Sequence, residues 1–218
     1  MYTYDRFDID NRVFHFIYGC ALVDAVLQKS FKGERTWIGK VTEAERELKD
    51  YINRVITGEF KDNSEDARSA HDAAFLQTSI HLCNIINQYS PDDCGPFHFG
   101  NAQKLINMTV KHVYAHTFTL HSVGYPSIRE HFRWCHCPMD QNMLTNVWDT
   151  HKVTGYRYKK DFCAPWGAED FATDTNGEQQ LPLRYLAYQA AIFDIVKSSN
   201  GDAFPIEYDY YDWNKDKE

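Results

Sequence analysis

Apolar residues recur at intervals of three and four along most of the chain, the period of a helix buried on one side. Val13, Phe16, Ile17, Ala21, Val23 and Leu27 predict a helix over 11–30. Asp10 or Asn11 is placed to cap it, and its nearly all-round apolar surface marks it as a central helix. A loop with Gly33 and Gly39 follows. Thr42-Glu43-Ala44-Glu45 has the form of a capping box. It opens a second helix through Leu48, Tyr51, Ile52, Val55 and Ile56, with Gly58 as the stop. Asp62-Asn63-Ser64 reads as turn and cap for a third helix, from about Glu65 to Tyr89. Its apolar positions are Ala70, Ala74, Leu76, Ile80, Cys83, Ile85 and Ile86, and Ser90-Pro91 ends it.

A fourth long helix runs from Asn101 to about Leu120, with Ile106, Val110, Val113 and Phe118 on its buried side and Lys104 and Lys111 on another. Pro126 begins a short helix through Ile128 and Phe132. The helix after Pro138 carries Met139, Met143, Leu144, Val147 and Trp148. Residues 152–180 are irregular. A last long helix spans Pro182 to Ser199 on Leu183, Leu186, Ala190, Ile192 or Phe193, and Val196. Tyr208 to Trp213 is aromatic and acidic, suited to a short helix or strand or to covering a groove. Strand alternation is scarce, and no repeat or heptad run stands out. The pattern predicts an all-α domain over 1–218, of roughly seven to nine helices in two closely packed lobes.

Composition agrees with a folded chain: 43% hydrophobic and 15% aromatic over 218 residues, enough to bury a substantial core. No apolar run reaches the roughly 18 residues of a membrane span, and the N-terminus lacks the pattern of a secretory signal. The expectation is a cytoplasmic protein with reduced cysteines; Cys20 and Cys83 fall in apolar helical patterns and read as core. The net charge of −8 weighs against nucleic acid, but it is unevenly spread. Residues 201–218 hold six acids against two lysines, and the first ten hold three against Arg6, so the ends supply −6 of the −8. The body is nearly balanced. Lys104, Lys111, Arg129, Arg133, Lys152, Arg157, Lys159 and Lys160 lie in its second half, so a local basic surface fits the sequence.

Candidate chemistry concentrates between Cys94 and Asp140. The third and fourth predicted helices are joined by a turn-rich segment with Pro91, Gly95, Pro96 and Gly100. Glycines there let backbone N–H groups approach an anion, and a helix N-terminus adds positive dipole. Lys104 lies at the mouth of one helix and Asp140 at the mouth of the next. A lysine in a partly dry pocket loses proton affinity and becomes a nucleophile. An N-terminal aspartate stays ionised and can accept a proton or stabilise positive charge. Two helices joined by a loop, a solvated lysine and a routine N-cap give the same pattern without any chemistry.

The segments Gly100-Asn101-Ala102-Gln103-Lys104 and Cys137-Pro138-Met139-Asp140 resemble the hairpin end, lysine and aspartate segment of the helix–hairpin–helix DNA glycosylase superfamily. The separation of 36 residues between Lys104 and Asp140 is similar to the archaeal 8-oxoguanine glycosylase branch. The resemblance covers roughly residues 64–150, with the helix–hairpin–helix at about 64–120, and lacks the compact Leu-Pro-Gly-Val-Gly hairpin of many members. It implies Lys104 and Asp140 as the catalytic pair and double-stranded DNA with a modified base as the partner. Gly95, Gly100, Asn101, Gln103, Lys111 and Arg133 become the DNA contacts, and Trp134, Cys137, Trp148 and Trp166 line the base pocket. It implies no cofactor and, without four spaced cysteines, no iron–sulfur module. Two other readings stay open: a non-catalytic helical protein that binds DNA or protein, and a helical zinc enzyme. For the latter, Cys135-His136-Cys137 is dense in ligands, with His131, His98, Cys94 and Cys163 as reserves and His112 and His116 one turn apart. A Cys-x-Cys pair without a second pair falls short of a structural zinc motif, so no metal site is predicted.

Overall fold

The computed structural model of the chain describes residues 9–26, 37–92, 94–199 and 202–212. Leu27, the loop with Gly33, and Trp213 with the rest of the acidic end lie outside the described residues. The helices are α1 (Asn11–Val26), α2 (Thr42–Ile56), α3 (Glu65–Tyr89), α4 (Phe99–Ser122), α5 (Gln141–Thr150), α6 (Lys159–Phe162), α7 (Leu183–Ser199) and α8 (Tyr208–Asp212). Tight 3-10 turns occur at Ile38–Lys40, Arg129–Phe132 and Pro205–Glu207. Among the described residues, strand pairing is confined to an antiparallel hairpin of β1 (Ala172–Thr173) and β2 (Gln179–Gln180). The protein is all-α, and no described helix is long and apolar enough to cross a membrane.

Helix starts follow local chemistry. Asp10 Oδ1 accepts from Arg12 N at the head of α1. Ser64 Oγ accepts from Ala67 N at the head of α3, and Asp140 Oδ1 accepts from Met143 N at the head of α5. Each satisfies an N–H that the helix itself leaves unbonded. The predicted box at Thr42 does not form. Val41 takes the cap position without a side-chain acceptor, and the Thr42 hydroxyl turns to Glu43 instead.

The central helix is α4, not α1. Every residue from Phe99 to Val110 is buried, with α1 and α3 packed against the helix. By contrast α1 has an outward face, where Phe16 and Val23 are exposed and Cys20 lies in solvent rather than core. Phe118 is also exposed, and Thr117 takes the buried place on α4. The buried face of α7 departs from its predicted leucines: Leu183 and Leu186 point outward, while Tyr185, Tyr188, Ile192 and Val196 point in. Tyrosine supplies an apolar body, and its hydroxyl finds partners in the interior. Tyr185 stacks on Phe75 of α3 and meets Phe99 of α4 edge-on. Buried apolar side chains form one continuous cluster from Ile9 to Tyr208 rather than two separate cores.

Candidate active site at the starts of two helices

The chain from Trp134 to Asp140 is an extended strap without regular structure, buried up to Met139. A buried backbone outside helix and sheet needs other hydrogen-bond partners. Two glutamines supply most of them here. Gln189 of α7 accepts from Cys137 N at 3.0 Å and donates to Cys137 O at 2.8 Å. Gln103 of α4 accepts from Met139 N at 3.1 Å and donates to Met139 O at 2.8 Å. Between them Tyr188 donates its hydroxyl to Pro138 O. The strap is therefore gripped peptide by peptide and delivers Asp140 to a fixed place.

That place is beside Lys104. Lys104 Nζ lies 2.8 Å from Asp140 Oδ2, while Oδ1 caps α5. The lysine side chain is 8% exposed and the aspartate 29%, so the pair reaches solvent on the aspartate side. One carboxylate thus serves two donors, a charge-assisted arrangement that fixes both its orientation and the lysine's.

The other residues expected at the site have different places. The Gly100 N–H is taken by Glu169 O, and a Cβ at Gly100 would stand 1.9 Å from Trp166 O. Gly100 is there so that the loop 164–170 can lie on the start of α4, which corrects its predicted role in holding a phosphate. Asn101 is buried, donating to Ala25 O and accepting from His98 N; it and Gln103 serve the interior rather than DNA. Lys111 pairs with Asp209, and Arg133 pairs with Glu130 while lying over the Phe204 ring, so both predicted phosphate contacts have acidic partners within the chain. Gly95 is half-buried in the loop between α3 and α4. That loop is tied by Asn87, which donates to Phe97 O and accepts from Phe97 N.

The expected base-pocket residues do not converge. Trp134 donates its indole N–H to Asp62 O and stacks on Phe193. Trp148 packs on Phe162. Trp166 is buried over Gly100. Cys137 is fully buried, and burial pushes its thiol above the usual range. Hydrophobic area, not a ligand, accounts for these positions.

Two features were missed from the sequence. Arg184, nearly buried, pairs with Glu169 and donates to Ala164 O and Pro165 O, which fixes the loop that covers the start of α4. His71 and Asp72 of α3 meet His136 of the strap, giving three potential ligand atoms within 4.8 Å of one another. His136 stood out in the sequence as part of Cys135-His136-Cys137, but its partners did not: adjacent residues on a helix carry no metal spacing, and Asp72 lies 64 positions from His136. No family model, no characterised protein and no solved structure matches the chain.

Proposed function

We propose that the chain is a DNA glycosylase of the helix–hairpin–helix kind, excising a modified base such as an oxidised purine or a hypermodified cytosine, in repair or antiphage defence. The observation that carries this reading is the 2.8 Å contact of Lys104 Nζ with Asp140. It joins two helix starts, follows a helix–loop–helix of α3 and α4, and is held by the glutamine clamps on the strap.

In this reading a target nucleotide is flipped out of the duplex, at a cost of a few kcal/mol. Asp140 takes a proton from Lys104. The freed nitrogen lone pair forms a bond to C1′ as the N-glycosidic bond breaks, and the base leaves with the electron pair of the broken bond and takes up a proton. The new amine then loses a proton, its lone pair closes a C=N bond as the C1′–O4′ bond breaks, and O4′ takes up a proton, which opens the sugar ring and gives a Schiff base. Loss of a C2′ proton then expels the 3′ phosphate and cleaves the strand. The start of α4 is covered, so the phosphate backbone needs another surface. Lys152, Arg157 and Lys160 offer one, with Arg157 and Lys160 both over the ring of exposed Tyr158. These residues follow the far end of α5, a helix of ten residues, or roughly 15 Å long.

The test uses duplexes carrying oxidised purines or glucosylated cytosines, with borohydride added to trap the Schiff base. Wild type should give a covalent adduct and Lys104→Gln none. Asp140→Asn should slow base release by about 10²–10⁴. Absence of base release from every such duplex, or wild-type release by both variants, would make the pair a structural ion pair and sink the reading.

A further inference from the structure

A second polar cluster lies beneath the strap, apart from Lys104. Asp72 Oδ1 is 3.0 Å from His136 Nε2 and 3.3 Å from His71 Nδ1. Each imidazole is held from behind by a tyrosine. His71 Nε2 lies 2.9 Å from the Tyr51 hydroxyl and His136 Nδ1 lies 3.0 Å from the Tyr185 hydroxyl. Asn107 in turn donates to Tyr185 at 2.8 Å.

We propose that His71, Asp72 and His136 bind one divalent transition-metal ion, with zinc as the representative. Bonds of about 2.0–2.1 Å in a tetrahedron place neighbouring ligand atoms about 3.3 Å apart, close to the two separations here. Two imidazoles and a carboxylate suit zinc and its neighbours, whereas magnesium and calcium take oxygen sets. With an ion in place, each histidine turns a lone pair to the metal and gives its remaining N–H to a tyrosine oxygen. That is the arrangement by which outer hydrogen bonds orient metal-bound imidazoles. The Asp72 side chain is 30% exposed, which leaves an approach for the ion and room for water as a fourth ligand. The neighbouring Cys135 and Cys137 are buried and lie outside the cluster of ligand atoms. The ion would join α3 to the strap four residues before Asp140. The site stands without the glycosylase reading.

The test takes the full chain, stripped with a chelator, and titrates it with zinc against a chromophoric competitor and separately with cobalt. Wild type should bind one equivalent, give the visible bands of four-coordinate cobalt without thiolate charge transfer, and melt at a higher temperature when loaded. Asp72→Asn, with its fold checked by circular dichroism, should lose more than about 100-fold in affinity. His112→Gln with His116→Gln should change nothing. Failure of wild type to take up stoichiometric zinc, an unchanged affinity in Asp72→Asn, or a thiolate band in the cobalt spectrum each overturns the proposal. The cobalt spectrum needs no variant, so the test holds even if Asp72→Asn does not fold.

Discussion

Gly100 shows how much one hydrogen atom controls. A methyl group there would collide with a backbone oxygen, which cannot swing aside as a side chain does. Gly100→Ala should lower stability by about 2–3 kcal/mol, read as a shift in the urea midpoint at unchanged slope. Gly19→Ala is the counterpart. It sits inside α1, and beyond the local helix backbone nothing lies within 4 Å of the added carbon, so it should raise stability by about 0.5–1 kcal/mol. The cysteines divide in the same residue-by-residue way. Cys20 is exposed. Cys83 is pushed up to about 12 by burial and, secondarily, by the charge of Asp170. Cys135 and Cys137 are raised by burial. Iodoacetamide at pH 8 should therefore label Cys20 in the folded protein and reach the other three only after denaturation. The sequence marked Cys83 as core correctly. It placed Cys20 wrongly because an apolar run that covers most of a helix does not reveal which side another helix will take.

At the level of elements, the strap is the informative piece. Its peptides are satisfied by side chains of α4 and α7, not by a ladder of its own. Gln103→Ala removes partners from both Met139 N and Met139 O and should cost about 2–4 kcal/mol, as two buried backbone groups go unpaired. Amide exchange at Met139 should quicken in that variant, while Cys137, held by Gln189, keeps more of its protection. A uniform acceleration along the strap would instead mean that the clamps act as one unit. The start of α5 after Pro138, with Asp140 as its cap, was legible because a short polar side chain before an apolar period is a local signal. The clamps were not legible. Gln103 read as a DNA contact next to a catalytic lysine, and nothing in its neighbours tells that Met139 lies against it.

On the scale of the whole molecule, the acidic end has a place in the core. Glu207 pairs through both oxygens with Arg129 at 2.7 Å and accepts the Tyr114 hydroxyl. Asp209 pairs with Lys111 of α4. The described part of the tail thus closes over α4 and uses Lys111, which the resemblance offered to DNA, and Arg129, counted toward a local basic surface. Glu207→Gln should cost about 2–3 kcal/mol, less than for a wholly buried pair because the Arg129 side chain is 29% exposed; a thermal melt measures it. The sequence by itself determined the helical class, most helix boundaries and the caps at Ser64 and Asp140, and narrowed the first cap to Asp10 or Asn11, since these follow from hydrophobic period and short-range hydrogen bonding. It also singled out Lys104 and Asp140, though not their contact. Tertiary structure alone decided that α4 is the central helix, that α7 turns tyrosines inward, and that His71, Asp72 and His136 meet. Periodicity reports that a face is apolar, but only packing assigns that face a partner. A cluster drawn from residues 64 positions apart exists only once the chain has folded back on itself.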